Sequence, residues 1–202
     1  MISLLSHNKL DESKNSLTIT YPRSVNIIFG NYAYPDIIHN FILQIKNNLD
    51  CKMENYTNVK GGMTNWKYFI DKIDFMNFVA HIINKHQITH PNLFQFFLEK
   101  YEILNAWGNE IKPNDKLTYH AHPCYHGILY LTKGCDLIFP ELNIKITPKP
   151  GDYYIFPPQI EHGFDEYNGE NNRYSIVFNI EEKDLKWNFN KKLKEKNERE
   201  NS

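Results

Sequence analysis

The chain is poor in cysteine, with Cys51, Cys124 and Cys135 its only three in 202 residues. The number is odd and no Cys-x-x-Cys spacing occurs, which fits free thiols in a reducing compartment better than a disulfide framework. No charge of one sign dominates: 23 Lys and Arg face 24 Asp and Glu, for a net charge of −1. That balance removes the basic field on which nucleic-acid binding rests and argues against a nucleic-acid partner. No apolar run approaches the roughly 18 residues of a membrane span. The opening "MISLLSHNKLDESK" has too short an apolar core for a secretory signal. No internal repeat is visible. A soluble, cytoplasmic chain is the expectation, long enough for one domain with a real core.

Aromatic residues, by contrast, are abundant. Thirteen Tyr, thirteen Phe and three Trp make up 14% of the chain, which favours strands over a helix bundle. "LTIT" (17–20) and "VNIIFG" (25–30) read as strands. "YPDIIHNFILQIKNNL" (34–49) reads as a helix, with Ile37, Phe41 and Ile45 on one face and Pro35 at its entrance. "NVKGGMTNW" (58–66) is a glycine-containing loop, "DFMNFVAHIINKHQ" (74–87) a second helix and "PNLFQFFLEKYEI" (91–103) a third. From about residue 104 the pattern turns to short β-rich pieces: "LNAWGNEI", "KLTYHAH", "GILYLT", "DLIF", "IKIT", "DYYIF" and "RYSIVFNI". Such spacing predicts a sandwich or barrel. The expected organisation is a single domain over 1–186, with a helical and strand preface (1–103), a β core (104–180), and a charged, disordered tail at 187–202.

Within the β region, "YHAHPCYHG" (119–127) holds three histidines. His120 and His122 lie two apart on a predicted strand, so both side chains leave one face with Cα atoms about 6.5–7 Å apart. A third ligand for a shared ion must come from a facing strand. His162 is the candidate, in "GDYYIFPPQIEHGF" (151–164). Imidazole suits Fe, Zn, Cu and Ni alike, so the triad does not choose the metal. Pro123 breaks the strand period, so parity cannot place His126; it is expected beside the metal or lining a pocket.

"NNRYSIVFN" (171–179) puts Arg173 and Ser175 on one face of a strand and Tyr174 on the other. An arginine aimed into a barrel needs a partner, because a buried unpaired charge is costly. One candidate is a bound carboxylate, gripped by two parallel hydrogen bonds; the other is a local acid such as Glu166 or Glu170.

With these residues in view, the chain resembles the 2-oxoglutarate/Fe(II)-dependent oxygenases. It is most similar to a group common in bacteria and large-tailed phages, distantly similar to prolyl 4-hydroxylases. The resemblance spans roughly 58–180 and is carried by "VKGGMTNW", "LNAWGNEI", "YHAHP", "HGILYLTKG", "DLIFPE", "KPGDYYIFPPQIEHGF" and "NNRYSIVFN". It implies a mainly β double-stranded β-helix, a cupin-like jelly roll with the N-terminal helices packed on the sandwich. It further implies Fe(II) at the catalytic centre on His120, His122 and His162. The co-substrates would be 2-oxoglutarate, held by Arg173 and Ser175 with Tyr130 as a further candidate, and O₂. Trp107, Asn109 and His126 would flank the substrate, a small molecule or a protein side chain. The place of action would be the cytoplasm, the host's if the source is a phage. The chain departs from the group in two places: His126 stands where Ser usually precedes the Gly, and His122 stands where the usual two-histidine, one-carboxylate face has its acid. The chain also resembles cupins, through its two histidines and "PGDYYIFPPQIEH" (150–162), which implies a metal enzyme without 2-oxoglutarate. A non-catalytic jelly-roll binding module is the third reading.

Overall fold

The computed structural model describes residues 2–4, 9–11, 16–21, 23–50, 61–89 and 101–183. Two antiparallel sheets face each other. The strands, in chain order, are β1 (Ile2–Leu4), β2 (Lys9–Asp11), β3 (Ser16–Tyr21), β4 (Arg23–Asn31), β5 (Gly62–Met63), β6 (Tyr101–Ile111) and β7 (Leu117–His120). They continue with β8 (Tyr125–Tyr130), β9 (Leu137–Phe139), β10 (Ile144–Ile146), β11 (Asp152–Phe156), β12 (His162–Phe164) and β13 (Arg173–Glu182). The larger sheet has the order β2-β3-β4-β11-β8-β13-β6-β5, and the smaller β1-β10-β9-β12-β7. This is the jelly-roll double-stranded β-helix expected from the sequence. The preface is less separate than its pattern implies: β4 pairs with β11 and β1 with β10, so early strands extend both sheets.

Strand parity divides the core in two. Trp107 on β6, Ile128 and Tyr130 on β8, and Val177 on β13 face the smaller sheet and meet Leu137, Phe139 and Ile144 there. Their neighbours Ala106, Leu129, Ile176 and Phe178 face the other way, onto two helices. Helix α1 (Pro35–Asn47) lays Ile38, Phe41 and Ile45 on that outer face, and α2 (Ile73–Thr89) lays Phe75, Phe78 and Ile82. Each of these phenylalanines is fully buried, worth about 1.5–3 kcal/mol of transfer free energy. Gly108 on β6 makes the close docking of α1 possible, because a β-carbon there would run into Ile45.

The third predicted helix (91–103) falls largely outside the described residues. Its last three positions, 101–103, belong instead to β6, where they pair with β13. The segment read as a loop at 58–66 contains β5, held against β6 at Gly62–Glu110 and Met63–Asn109. The polar tail at 187–202 also lies outside the described residues. No helix among the described residues is long and apolar enough to cross a membrane.

Candidate metal centre and adjoining cavity

Strand pairing positions the first two imidazoles. His120 ends β7 and His162 opens β12, and the two are direct cross-strand partners. The sequence reading expects His162 on a facing strand but sets no bounds for it, since three residues after a Pro-Pro break carry too little periodicity to delimit β12. His122 departs from its expected place. The strand stops at His120, and His122 follows in irregular backbone tied down by the Gln159 N–H, which donates to its carbonyl (2.8 Å). The three rings nevertheless converge, with one ring nitrogen from each within 4.8 Å of the others. His120 Nε2 and His122 Nε2 are 3.1 Å apart.

The donor set fits a transition metal. His120 Nδ1 donates to the Thr118 carbonyl (2.8 Å) and His162 Nδ1 to that of Ile160 (3.2 Å). A neutral ring with its proton on Nδ1 has a lone pair on Nε2. Two nitrogens each about 2.1 Å from one ion at a right angle stand about 3.0 Å apart, close to the spacing of the first pair. Burial lowers the pKa of His122 to about 4 and that of His162 to about 3, with the neighbouring His120 adding to both. Near neutral pH these two rings are therefore free bases. The set of neutral imidazoles suits Fe, Zn, Cu or Ni and suits Mg or Ca poorly.

A cavity of about 210 Å³ opens from the triad between the sheets. That is room for roughly seven waters. The residues that the sequence suggests for co-substrate and substrate line it: Trp107, Asn109, His126, Tyr130, Arg173 and Ser175. The parity reading of β13 holds, since Arg173 and Ser175 face the cavity while Tyr174 packs beneath the helices. The local acids weighed as partners for Arg173 are not the ones it meets. Its Nη1 donates to Cys135 Sγ (2.7 Å), and its guanidinium carbon lies 4.7 Å over the Tyr130 ring and 5.2 Å over Phe164. Its Nε is buried and has no hydrogen-bond partner among the described residues. Gly134 gives the arginine its path, because a β-carbon there would stand 2.5 Å from Arg173 Cδ. Burial pushes the Cys135 thiol up, against the pull of Arg173, so the sulfur is a neutral, weak acceptor.

On the neighbouring strand of the same sheet, where Asn109 is the cross-strand partner of Ser175, the Trp107 indole N–H donates to Asn109 Oδ1 (3.1 Å). Trp66 packs edge-on against Trp107 with centroids 4.5 Å apart, and it too lines the cavity. Its segment is held to β6 by reciprocal bonds between Thr64 and Gly108. Sequence reasoning did not name Trp66, Gly134 or Cys135 as site residues. Trp66 could have been found, since it closes the "VKGGMTNW" segment; the other two meet Arg173 only through the fold.

No protein-family model and no curated protein sequence gives a significant match. Solved structures do. The viral collagen prolyl hydroxylase of Paramecium bursaria chlorella virus 1, in complex with 2-oxoglutarate, is 14% identical with a TM-score of 0.55, over 76% of this chain and 94% of that one. HygX of Streptomyces hygroscopicus, with nickel and 2-oxoglutarate bound, is 8% identical with a TM-score of 0.53, over 76% and 82%. A prolyl-4-hydroxylase from Pseudomonas putida is 11% identical with a TM-score of 0.53, over 76% and 91%. In fold, this chain therefore stands with the prolyl hydroxylases and other 2-oxoglutarate/Fe(II) oxygenases.

Proposed function

We propose that the protein is a non-haem Fe(II)- and 2-oxoglutarate-dependent dioxygenase that hydroxylates a small molecule or a protein side chain. The observation that carries this reading is a single cavity with a histidine triad and a buried arginine whose Nε lacks a partner among the described residues. In this reading His120, His122 and His162 hold the iron. Three neutral imidazoles leave the ion's charge uncompensated, which favours an anionic co-ligand such as 2-oxoglutarate.

Arg173 holds the far carboxylate of that co-substrate. The arginine is 4% exposed, and an orphaned buried donor costs about 1–3 kcal/mol that a bound acceptor removes. The carboxylate satisfies Nε and draws the guanidinium from the weak sulfur acceptor. Ser175 adds a hydroxyl from the same strand face, and Tyr130 supplies the ring beneath the guanidinium and a hydroxyl beside it. Trp66, Trp107 and Asn109 form the substrate wall. With its Oδ1 taken by the Trp107 indole, Asn109 presents its amide hydrogens to the substrate. The bound iron supplies oxidative decarboxylation of 2-oxoglutarate by O₂, giving succinate and CO₂ and coupled to substrate hydroxylation.

The test is succinate formation by the full chain with Fe(II), 2-oxoglutarate and O₂. Turnover that requires all three and is lost in His162→Ala supports the reading; its absence in the iron-loaded parent contradicts it. A cupin-type metal enzyme is the second reading, favoured by His126, which adds a fourth imidazole to the cavity. It predicts bound metal whose spectrum does not respond to 2-oxoglutarate.

A further inference from the structure

Within the triad, His122 is held differently from its two companions. Backbone carbonyls fix the Nδ1 atoms of His120 and His162, whereas among the described residues none holds Nδ1 of His122. It also lies beyond the end of its strand, so ladder hydrogen bonds do not set its direction. Its ring does meet His126, face to face, with centroids 4.0 Å apart and planes within 8°.

His126 is itself locked. It sits on β8 between β11 and β13, is 4% exposed, and has Phe156 and Trp107 around its ring at centroid distances of 5.4 and 6.3 Å. Its Nδ1 is 2.7 Å from Asn179 Oδ1. An amide oxygen only accepts, so Nδ1–H donates and the ring can no longer rotate freely. Asn179 is the direct cross-strand partner of His126, so the larger sheet sets this contact.

We propose that Asn179 and His126 are positioning residues for the bound metal: Asn179 fixes the plane of His126, and the face of His126 fixes the plane of His122. The flat stack replaces the carbonyl that orients the other two imidazoles. A ring polarised by a cation gains from an electron-rich face beside it, so the stack tightens when the ion is bound. Such orienting partners typically govern metal affinity by roughly ten- to a hundredfold. The proposal rests on the reading of the triad as metal ligands.

Anaerobic Co(II) titration of the full chain, followed by its visible absorption bands, tests it. His126→Ala and Asn179→Ala are each expected to weaken Co(II) binding roughly tenfold and to shift the bands. Combined, they should lose little more than either alone, because they act through one contact. His126→Phe keeps a flat ring with no ligand atom, and is expected to recover most of the affinity. Parent-like affinity and bands in His126→Ala would overturn the proposal. So would a His126→Phe protein with native near-ultraviolet circular dichroism that binds as weakly as His126→Ala, since His126 would then be a ligand. If the phenylalanine variant fails to fold, Asn179→Ala decides, and parent-like behaviour there overturns the proposal. A parent that takes up no Co(II), or a His120→Ala variant that binds like the parent, removes the triad reading itself and this proposal with it.

Discussion

Replacing Arg173 with lysine keeps the charge and removes the planar fork. The guanidinium carbon of Arg173 lies 4.7 Å from the centre of the Tyr130 ring and 5.2 Å from that of Phe164. Nη1 reaches Cys135 and Nε awaits an acceptor. A lysine ammonium cannot deliver two parallel hydrogen bonds to a carboxylate, nor lay a planar cation against an aromatic ring. One lost hydrogen bond to a charged group costs about 1.5–3 kcal/mol, or roughly ten- to more than a hundredfold in 2-oxoglutarate affinity. Calorimetric titration of 2-oxoglutarate into the anaerobic, metal-loaded protein measures it, with metal affinity as the control that should not move. Gly134→Ala is a finer version of the same test. Its new β-carbon would stand 2.5 Å from Arg173 Cδ and 3.0 Å from Cγ, so the arginine must shift and 2-oxoglutarate binding weakens without any change of charge. An unchanged dissociation constant in Arg173→Lys would refute the carboxylate assignment.

Three further predictions concern the histidines. One transition metal per chain is expected in the parent and its loss in His120→Ala and His162→Ala, as read by elemental analysis; full occupancy in both variants would contradict the ligand assignment. His122→Asp restores a two-histidine, one-carboxylate face and should retain iron and some succinate formation where His122→Ala largely loses the metal; an alanine variant that behaves like the parent would show that His122 is not a ligand. The metal-free protein should lose stability as pH falls from about 6.5 to about 4. In that window the unfolded chain protonates His122 and His162 at their ordinary pKa near 6.5, while the folded chain holds them neutral down to about 4 and about 3. The unfolded state then binds more protons, so unfolding becomes easier as pH drops. His162→Gln should flatten the dependence of Tm on pH there, and an equally steep profile would contradict burial of a neutral His162.

Local periodicity made much of this fold legible. The helical stripes of α1 and α2, the alternation along β13 that turns Arg173 and Ser175 inward, and the short strands of the jelly roll all follow from spacing alone. The parts that escaped depend on distant contacts. The bounds of strand β12, three residues long, are set by the pairing of His162 and Gly163 with β7 and β9. His122 reads as a strand residue, but Pro123 ends the ladder early, and its ring is placed by neighbours rather than by strand parity. His126 could not be placed because that same proline interrupts the count. The Cys135 contact with Arg173 joins residues 38 apart, and the Asn179 contact with His126 joins residues 53 apart. No local pattern encodes either one.

The measurement that bears most directly on the central claim is an anaerobic Fe(II) titration of the full chain followed by addition of 2-oxoglutarate, read by visible absorption. The account predicts stoichiometric iron uptake. On adding 2-oxoglutarate it predicts a new charge-transfer band between the metal and the co-substrate, absent in His162→Ala and requiring much more 2-oxoglutarate in Arg173→Lys. Iron uptake with no spectral response to saturating 2-oxoglutarate would contradict the oxygenase assignment.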